Sequence, residues 1–372
     1  MPSKVYFTDL SASFKINLVA KLGNLMEAAG ISPAVTKRDL VAVKLHFGEM
    51  GNTAFIRPVF LRKVVEVIRA QGASPFLTDA NTLYAGTRSD APSHLNTAIA
   101  NGFAFSVVGA PLVIADGLRG KSETAVTVNL KNFEQVYIGS EIVEADALVS
   151  VAHFKGHELS GFGGTLKNLG MGCASRRGKL AQHSSLSPKV KKKKCIGCGE
   201  CVDHCSQQAL ALLEGEDGDK AEINPERCIG CGECILACAQ GAIQIQWNQS
   251  VPTFLENMME YTAGVIQNKK DKALYINFIT DVSPGCDCLP YNDSPIVRDI
   301  GILASTDPVA IDRASIDLVN GEHALPGTCL KKNMAPGEDK FGGVYDYIDW
   351  AYQFEYAEKI GLGSSEYELV KV

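Results

Sequence analysis

No apolar run in this 372-residue chain approaches the roughly 18 residues of a membrane-spanning helix, and the opening Met1-Pro2-Ser3-Lys4-Val5-Tyr6-Phe7 lacks the apolar core of a secretory leader. These absences predict a cytoplasmic protein with no membrane partner. Charge of one sign is lacking too: a net charge of -6 is mild and gives no reason to expect a nucleic-acid partner. Low hydrophobicity, the mark of disorder, is also missing. With 46% hydrophobic and 21% charged residues, the chain has the composition of a globular protein able to bury a large core.

Cysteine, by contrast, is plentiful, and its spacing is informative. Cys195-Ile-Gly-Cys198-Gly-Glu-Cys201-Val returns 33 positions later as Cys228-Ile-Gly-Cys231-Gly-Glu-Cys234-Ile, and each run is completed by a further cysteine, Cys205 or Cys238. Both read C-x2-C-x2-C-x3-C, the spacing of bacterial two-cluster ferredoxins, in which the fourth cysteine ligates the other cluster. The expected assignment is one [4Fe-4S] cluster on Cys195, Cys198, Cys201 and Cys238, and a second on Cys228, Cys231, Cys234 and Cys205. Gly197, Gly199, Gly230 and Gly232 carry no Cβ and permit a turn that aims thiolates and N–H groups at one core. Proline usually follows the fourth cysteine; Ser206 and Ala239 stand there instead, which bears on loop rigidity and not on ligation. Four-cysteine zinc sites share the C-x2-C pairs but need no third and fourth cysteine at this rhythm. The duplication extends to short strands expected from Gln208 to Leu212 and from Gly241 to Ile245.

Outside the motifs, short apolar runs predict strands at Leu40 to Leu45, Pro75 to Thr78, Ala147 to Val151, Ala273 to Phe278 and Ile300 to Ala304, with a helical pattern from Pro58 to Gln71. Strands buried on both faces and alternating with helices argue for an α/β fold with a largely parallel sheet. The expected organisation is a discontinuous α/β domain, residues 1–187 and 248–372, carrying an inserted α+β ferredoxin-like two-cluster domain at 188–247. Eight Lys and Arg residues and no acid lie between Arg176 and Lys194, ending against Cys195. That run is either a solvated linker or a docking patch for an acidic partner.

In open α/β sheets ligands bind beyond the carboxyl ends of the strands. His46, Glu49 and Asn52 follow one strand, Asp79 and Asn81 the next, and His153, Lys155 and His157 the third. Each alone is more simply a loop residue bonded locally, but jointly they mark a crevice. Gly161, Gly163 and Gly164 are expected to bring backbone N–H groups close to an anion or cofactor, with Lys167 supplying positive charge. The segment fits neither a Walker A loop nor a G-x-G-x-x-G fingerprint, which rejects nucleotide binding. His153 and His157 stand four residues apart, a metal-binding spacing on a helix, although Gly156 weakens a helix there. Cys286 and Cys288 are too close in sequence for an ordinary disulfide; a soft-metal site, a redox nucleophile and a plain turn set by Pro284 and Gly285 remain open. Candidate catalytic residues are therefore His153, His157, Lys167, Cys286 and Cys288, with room for a third metal or a small cofactor. Cys329 is expected to be structural, and the thiols outside the motifs to be reduced.

The cluster motifs, His153 to Cys173, Asp281-Val-Ser-Pro-Gly-Cys286-Asp-Cys288 and Ala304-Ser-Thr-Asp307-Pro308-Val-Ala-Ile-Asp312 together resemble the family called domain of unknown function three-six-two, in its form with a two-cluster ferredoxin insert. The resemblance covers nearly the whole chain and implies a cytoplasmic [4Fe-4S] protein of the kind common in anaerobic prokaryotes. It implies no substrate. Over about a dozen residues, His157 to Lys167 is also similar to the histidine, glycine-pair and lysine stretch of the nickel-pincer lactate racemase family, whose lysine anchors the cofactor; neither nickel nor racemisation is carried over.

The leading expectation is an oxidoreductase in which two clusters exchange electrons with a ferredoxin- or flavodoxin-type protein and with a small molecule, as yet unidentified, in the crevice. The alternative is a ferredoxin-like carrier whose large domain docks a partner or assembles a cofactor. An enclosed crevice favours the enzyme and a filled or shallow one the carrier.

Overall fold

The five apolar runs are strands of one eight-stranded sheet, joined by a strand at each chain end and by the short Leu112–Ile114. The computed structural model describes residues 2–84, 86–184, 187–205, 207–215, 218–228, 230, 232–246 and 250–372. The strands are β1 (Ser3–Asp9), β2 (Leu40–Lys44), β3 (Ser74–Asp79), β4 (Leu112–Ile114), β5 (Ala147–His153), β6 (Ala273–Ile279), β7 (Gly301–Ser305) and β8 (Tyr367–Lys371), arranged in the order β8-β1-β7-β6-β5-β2-β3-β4. All neighbours are parallel except β7, which runs antiparallel to both β1 and β6. The expected alternation of strand and helix fails at that point, because β6 reaches its antiparallel neighbour β7 through a loop, residues 280–300, without a helix. That loop carries Cys286 and Cys288.

Alternate side chains of the central strands feed two cores. Val149 and Val151 of β5 join Leu61, Val64, Ile68 and Ile276 on one face, while Leu148 joins Leu166, Leu255 and Ile311 on the other. Each fully buried side chain of this size stabilises the fold by about 1.5–3 kcal/mol relative to exposure. The first face is covered by α1 (Pro58–Ala70), whose proline sits at the tolerated first turn and whose Leu61, Val64, Val65 and Ile68 recur at helical spacing. The second is covered by α2 (Thr165–Gly170), α3 (Arg176–His183), α4 (Val251–Ile266) and α5 (Pro308–Asn320). Ser175, Ser250 and Asp307 cap the last three through side-chain oxygens that accept backbone N–H groups.

The crossover from β5 to its parallel neighbour β6 passes through α2, α3, the cysteine segment and α4. Within the cysteine segment, Lys189–Val190 pairs with Ile243–Gln244, and Leu210–Leu213 pairs with Lys220–Ile223. Two short helices, Glu200–Asp203 and Glu233–Ala237, follow the glycine turns. Val190, Cys201, Leu210, Ala221, Cys234 and Ile243 form a small core of their own. Gly197, Gly199, Gly230 and Gly232 have φ of 72°, 82°, 72° and 69°, the left-handed region in which a side chain is strained.

Candidate functional site

Strands β2, β3, β5 and β6 point their carboxyl ends at one edge of the sheet, and the loops beyond them enclose a cavity of about 190 Å³. Lys44, Asp79, His153, Lys167 and Cys286 line it, and so does Ile245 from the cysteine segment. The cavity is therefore a space shared by the sheet domain and that segment.

Its best-built wall is the turn 283–288. Asp287 is fully buried, with Oδ1 2.9 Å from His153 Nδ1 and Oδ2 3.1 Å from Lys155 Nζ. Burial opposes its charge, but His153 and Lys155 outweigh it and hold the carboxyl well below the usual carboxylate range. The other ring nitrogen of His153 faces the Thr280 carbonyl at 2.8 Å, so both ring nitrogens are engaged in the wall. Asp287 is turned into the wall, while its neighbours Cys286 and Cys288 both line the cavity. The backbone of the turn is held by Glu49 N–H donating to Asp287 O and by Tyr84 Oη donating to Cys288 O, each at 3.0 Å.

Lys167, projecting from α2, places Nζ 3.4 Å from Cys286 Sγ, and the Cys288 backbone N–H approaches the same sulfur at 3.5 Å. The Cys288 thiol also donates to Cys286; that bond, opposed by burial and aided by Lys167, holds Cys286 well below the usual thiol range. Cys288 moves the opposite way, because it keeps the shared proton. On the same cavity, Nδ1 of His157 accepts from the Ser160 backbone N–H at 3.2 Å and lies 2.9 Å from Ser160 Oγ, and burial together with Lys167 keeps the ring neutral. Glu158 Oε2, 3.8 Å from His157 Nε2, is buried without a hydrogen-bond partner among the described residues, and burial beside Cys286 raises its carboxyl above the usual range.

A second buried network lines another part of the cavity. Lys44 Nζ is 3.0 Å from Asp79 and 2.8 Å from Asn168 Oδ1, and Arg88 bridges Asp79 and Glu49 at 3.3 and 3.1 Å. Asn52 and Asn81 serve the loops instead: Asn52 donates to the carbonyls of Leu289 and Tyr291, and Asn81 to Asp116. Lys44 and Arg88 were not singled out by the sequence reading. A lysine inside an otherwise apolar strand was a usable signal for the first; Arg88 left none.

Three expectations need correction. His153 and His157 do not share a helix: His153 ends β5, and His157 lies on the hairpin formed by Lys155–His157 and Gly161–Gly163. The glycine turn does not present its helix N-terminus to a ligand, since the Asp312 carboxylate already accepts from the Thr165 and Leu166 N–H groups at 2.8 and 2.9 Å. Gly164 is required by the closeness of Asp312. Gly161, at φ 77°, faces Trp350, and a Cβ there would lie 2.6 Å from it; of the three glycines only Gly163 and Gly164 line the cavity. Cys329 is exposed, not built into a core. Cys173 is buried, and burial pushes its thiol up to about 11.

In the cysteine segment, Cys195, Cys198, Cys201 and Cys238 line one small cavity together. Burial, then the adjacent Cys238 and Cys195, push the Cys201 thiol up to about 11. Backbone N–H groups point at sulfur in a repeated pattern: Ala209 to Cys205 and Ala242 to Cys238, each at 3.2 Å, and Ala221 to Cys195 at 3.3 Å. Cys231 and Ser206 lie outside the described residues, as does Trp247 at the expected domain boundary. The second motif abuts the sheet domain. Arg176 donates to Gly232 O at 2.8 Å, a Cβ on Gly232 would lie 2.7 Å from Leu83, and Arg119 and Lys121 pair with Glu233. The first motif faces outward, with Ile196 65% exposed. Arg176 and Lys179 of the basic run are buried and Arg177 is half-buried over the Tyr137 ring, which leaves Lys189 and Lys191 to Lys194 as its exposed part. Among the described residues no three His, Cys, Asp or Glu side chains converge as a single metal ion needs, and no helix is long and apolar enough to cross a membrane.

Solved structures similar to the chain include two from thermophiles. They are the lactate racemase apoprotein from Thermoanaerobacterium thermosaccharolyticum (15% identity, TM-score 0.34, 75% of this chain and 51% of that one) and a structural-genomics protein from Thermotoga maritima (10% identity, TM-score 0.33, 70% and 49%). The chain spans about half the length of each. Among curated proteins nothing matches. A family model does match across residues 41–317, from β2 into α5 and through the whole cysteine segment, and the chain belongs to the family described as Domain of unknown function (DUF362).

Proposed function

We propose that the protein is an iron-sulfur oxidoreductase in which residues 188–247 form a ferredoxin-like domain holding two [4Fe-4S] clusters that serve a reaction in the crevice. The observation that carries this reading is the convergence of Cys195, Cys198 and Cys201 with Cys238, 37 positions beyond Cys201, on one cavity. The residues fit the group: a cubane binds its four thiolates through four separate irons and asks for a wider ring of sulfurs than one zinc ion, and the N–H groups aimed at Cys195, Cys205 and Cys238 suit sulfur that carries negative charge. Cys228, Cys231, Cys234 and Cys205 would hold the second cluster. When bound, such clusters supply one-electron transfer over a wide range of potentials.

The protein's own residues give the transfer a direction. The second motif lies against Leu83 and Arg176 beside the crevice, and the first lies outward beside Lys191 to Lys194. An acidic ferredoxin- or flavodoxin-type donor in the cytoplasm would dock at the outward side, drawn by the lysines. The cavity, partly open and about 190 Å³ in volume, is neither filled nor flat, and its lining of two cysteines, a lysine and a neutral histidine favours an enzyme over a carrier. A reductive titration of anaerobically purified protein, followed by visible absorption and electron paramagnetic resonance, tests the proposal. It predicts bleaching with uptake of about one electron per cluster. Absence of both bleaching and a paramagnetic signal overturns it.

A further inference from the structure

The turn 283–288 is more elaborately fixed than a connecting loop requires. Its middle residue is clamped by His153 and Lys155, its backbone by Glu49 and Tyr84, and the outcome is two sulfurs on the wall of one partly open cavity with Lys167 against one of them. We infer that Cys286 and Cys288 are a catalytic dithiol that reduces a small disulfide in the crevice, Cys286 attacking and Cys288 resolving. The inference rests on the proposed function for its supply of electrons.

The chemistry balances as follows. The Cys286 thiolate bonds to one sulfur of R–S–S–R, whose S–S bond breaks and releases a thiolate. Cys288 gives up its proton to that group and attacks Cys286, closing the Cys286–Cys288 disulfide and expelling the second thiolate, which takes a proton from solution. Two electrons from the low-potential donor, with one proton, restore the thiolate and the thiol. The sum is R–S–S–R plus two electrons plus two protons giving two R–SH. Two one-electron carriers match that demand.

Each part of the site has a place in this scheme. Lys167 stabilises the attacking thiolate, and the neutral His157 ring and the half-exposed Glu158, whose Oε2 is buried, line the same cavity as the cysteines. A disulfide between residues two apart is strained, and strain makes the bond readily reduced, which is a defect in a structural disulfide and an asset in a catalytic one. The cavity, about 190 Å³, limits the substrate to a low-molecular-weight disulfide.

The test uses anaerobically purified, iron-loaded protein and 2-hydroxyethyl disulfide, followed by alkylation, proteolysis and mass analysis. The expected result is a peptide in which Cys286 and Cys288 are joined, with two molecules of 2-mercaptoethanol released per chain. Cys288→Ser should accumulate the mixed disulfide on Cys286, and Lys167→Met should slow attack by about ten-fold at pH 7. Alkylatable Cys286 and Cys288 after treatment, with the probe only on exposed Cys329, overturns the inference. Iron and sulfide measured on the same sample separate the two ideas. A joined pair in protein without sulfide sinks the proposed function alone, and an unjoined pair in protein with both clusters sinks the dithiol alone.

Discussion

His153 Nδ1 stands 2.9 Å from Asp287 Oδ1, and this contact anchors the turn whose flanking cysteines, Cys286 and Cys288, line the cavity. Asp287 is the hinge of the site although it touches no cavity: one carboxylate neutralises Lys155, engages His153 and leaves Cys286 and Cys288 facing inward.

Removing that carboxylate leaves a buried lysine and histidine without their partner. Asp287→Ala should therefore cost about 3–5 kcal/mol, the range for breaking a buried ion pair from one side. Urea unfolding followed by far-ultraviolet circular dichroism measures it. A loss below about 1 kcal/mol would match an exposed pair and contradict the clamp.

The pH profile of alkylation reports the state of Cys286. An ordinary thiol near pKa 8.5 gains roughly twenty-fold in thiolate between pH 7 and pH 9. Cys286 is held well below the usual thiol range by Cys288 and Lys167 against burial, so its rate should rise less than that between pH 7 and pH 9. Measured in a Cys329→Ser background, a twenty-fold rise would show an ordinary thiol. Lys167→Met should restore part of that rise.

Much of this arrangement was legible in the sequence. The apolar runs gave β2, β3, β5, β6 and β7 to within a residue or two, because strands buried on both faces need continuous hydrophobicity. β1 and β8 escaped notice: Ser3–Asp9 mixes polar and apolar residues, and Tyr367–Lys371 is an edge strand with its side chains largely outside. His153, His157, Lys167, Cys286 and Cys288 do meet in one cavity, as the ends of parallel strands suggested. The roles of Gly164 and Asp312 were not legible. A glycine that frees N–H groups for a ligand and one that makes room for a carboxylate 148 positions away look the same in one dimension.

Asp312 caps α2 from a distance, so its loss should loosen the helix that carries Lys167. Asp312→Ala leaves the Thr165 and Leu166 N–H groups without their acceptor and should destabilise the protein by about 2–3 kcal/mol. Denaturant unfolding checks the figure, and an unchanged midpoint would show that the cap contributes nothing.

Lys191 to Lys194 are exposed beside Cys195. Replacing all four with glutamine should slow reduction by an acidic donor by about ten-fold or more at low salt, and the difference should shrink as the Debye length falls to about 8 Å near physiological ionic strength. Stopped-flow reduction decides the matter. Equal rates with no salt dependence would leave the run as a linker.

Crossed ligation predicts that Cys205→Ala damages the cluster of Cys228, Cys231 and Cys234 and spares that of Cys195, Cys198, Cys201 and Cys238. In that variant iron and sulfide should fall by about half, as loss of one of two cubanes requires. Cys195→Ala combined with Cys205→Ala should then remove both clusters, whereas uncrossed ligation would leave one intact.

The central claim is that the duplicated cysteine motifs hold two cubanes, and metal and sulfide analysis of anaerobically purified protein tests it most directly. Two [4Fe-4S] clusters require about eight iron and about eight acid-labile sulfide per chain. Stoichiometric zinc with negligible sulfide would contradict the account.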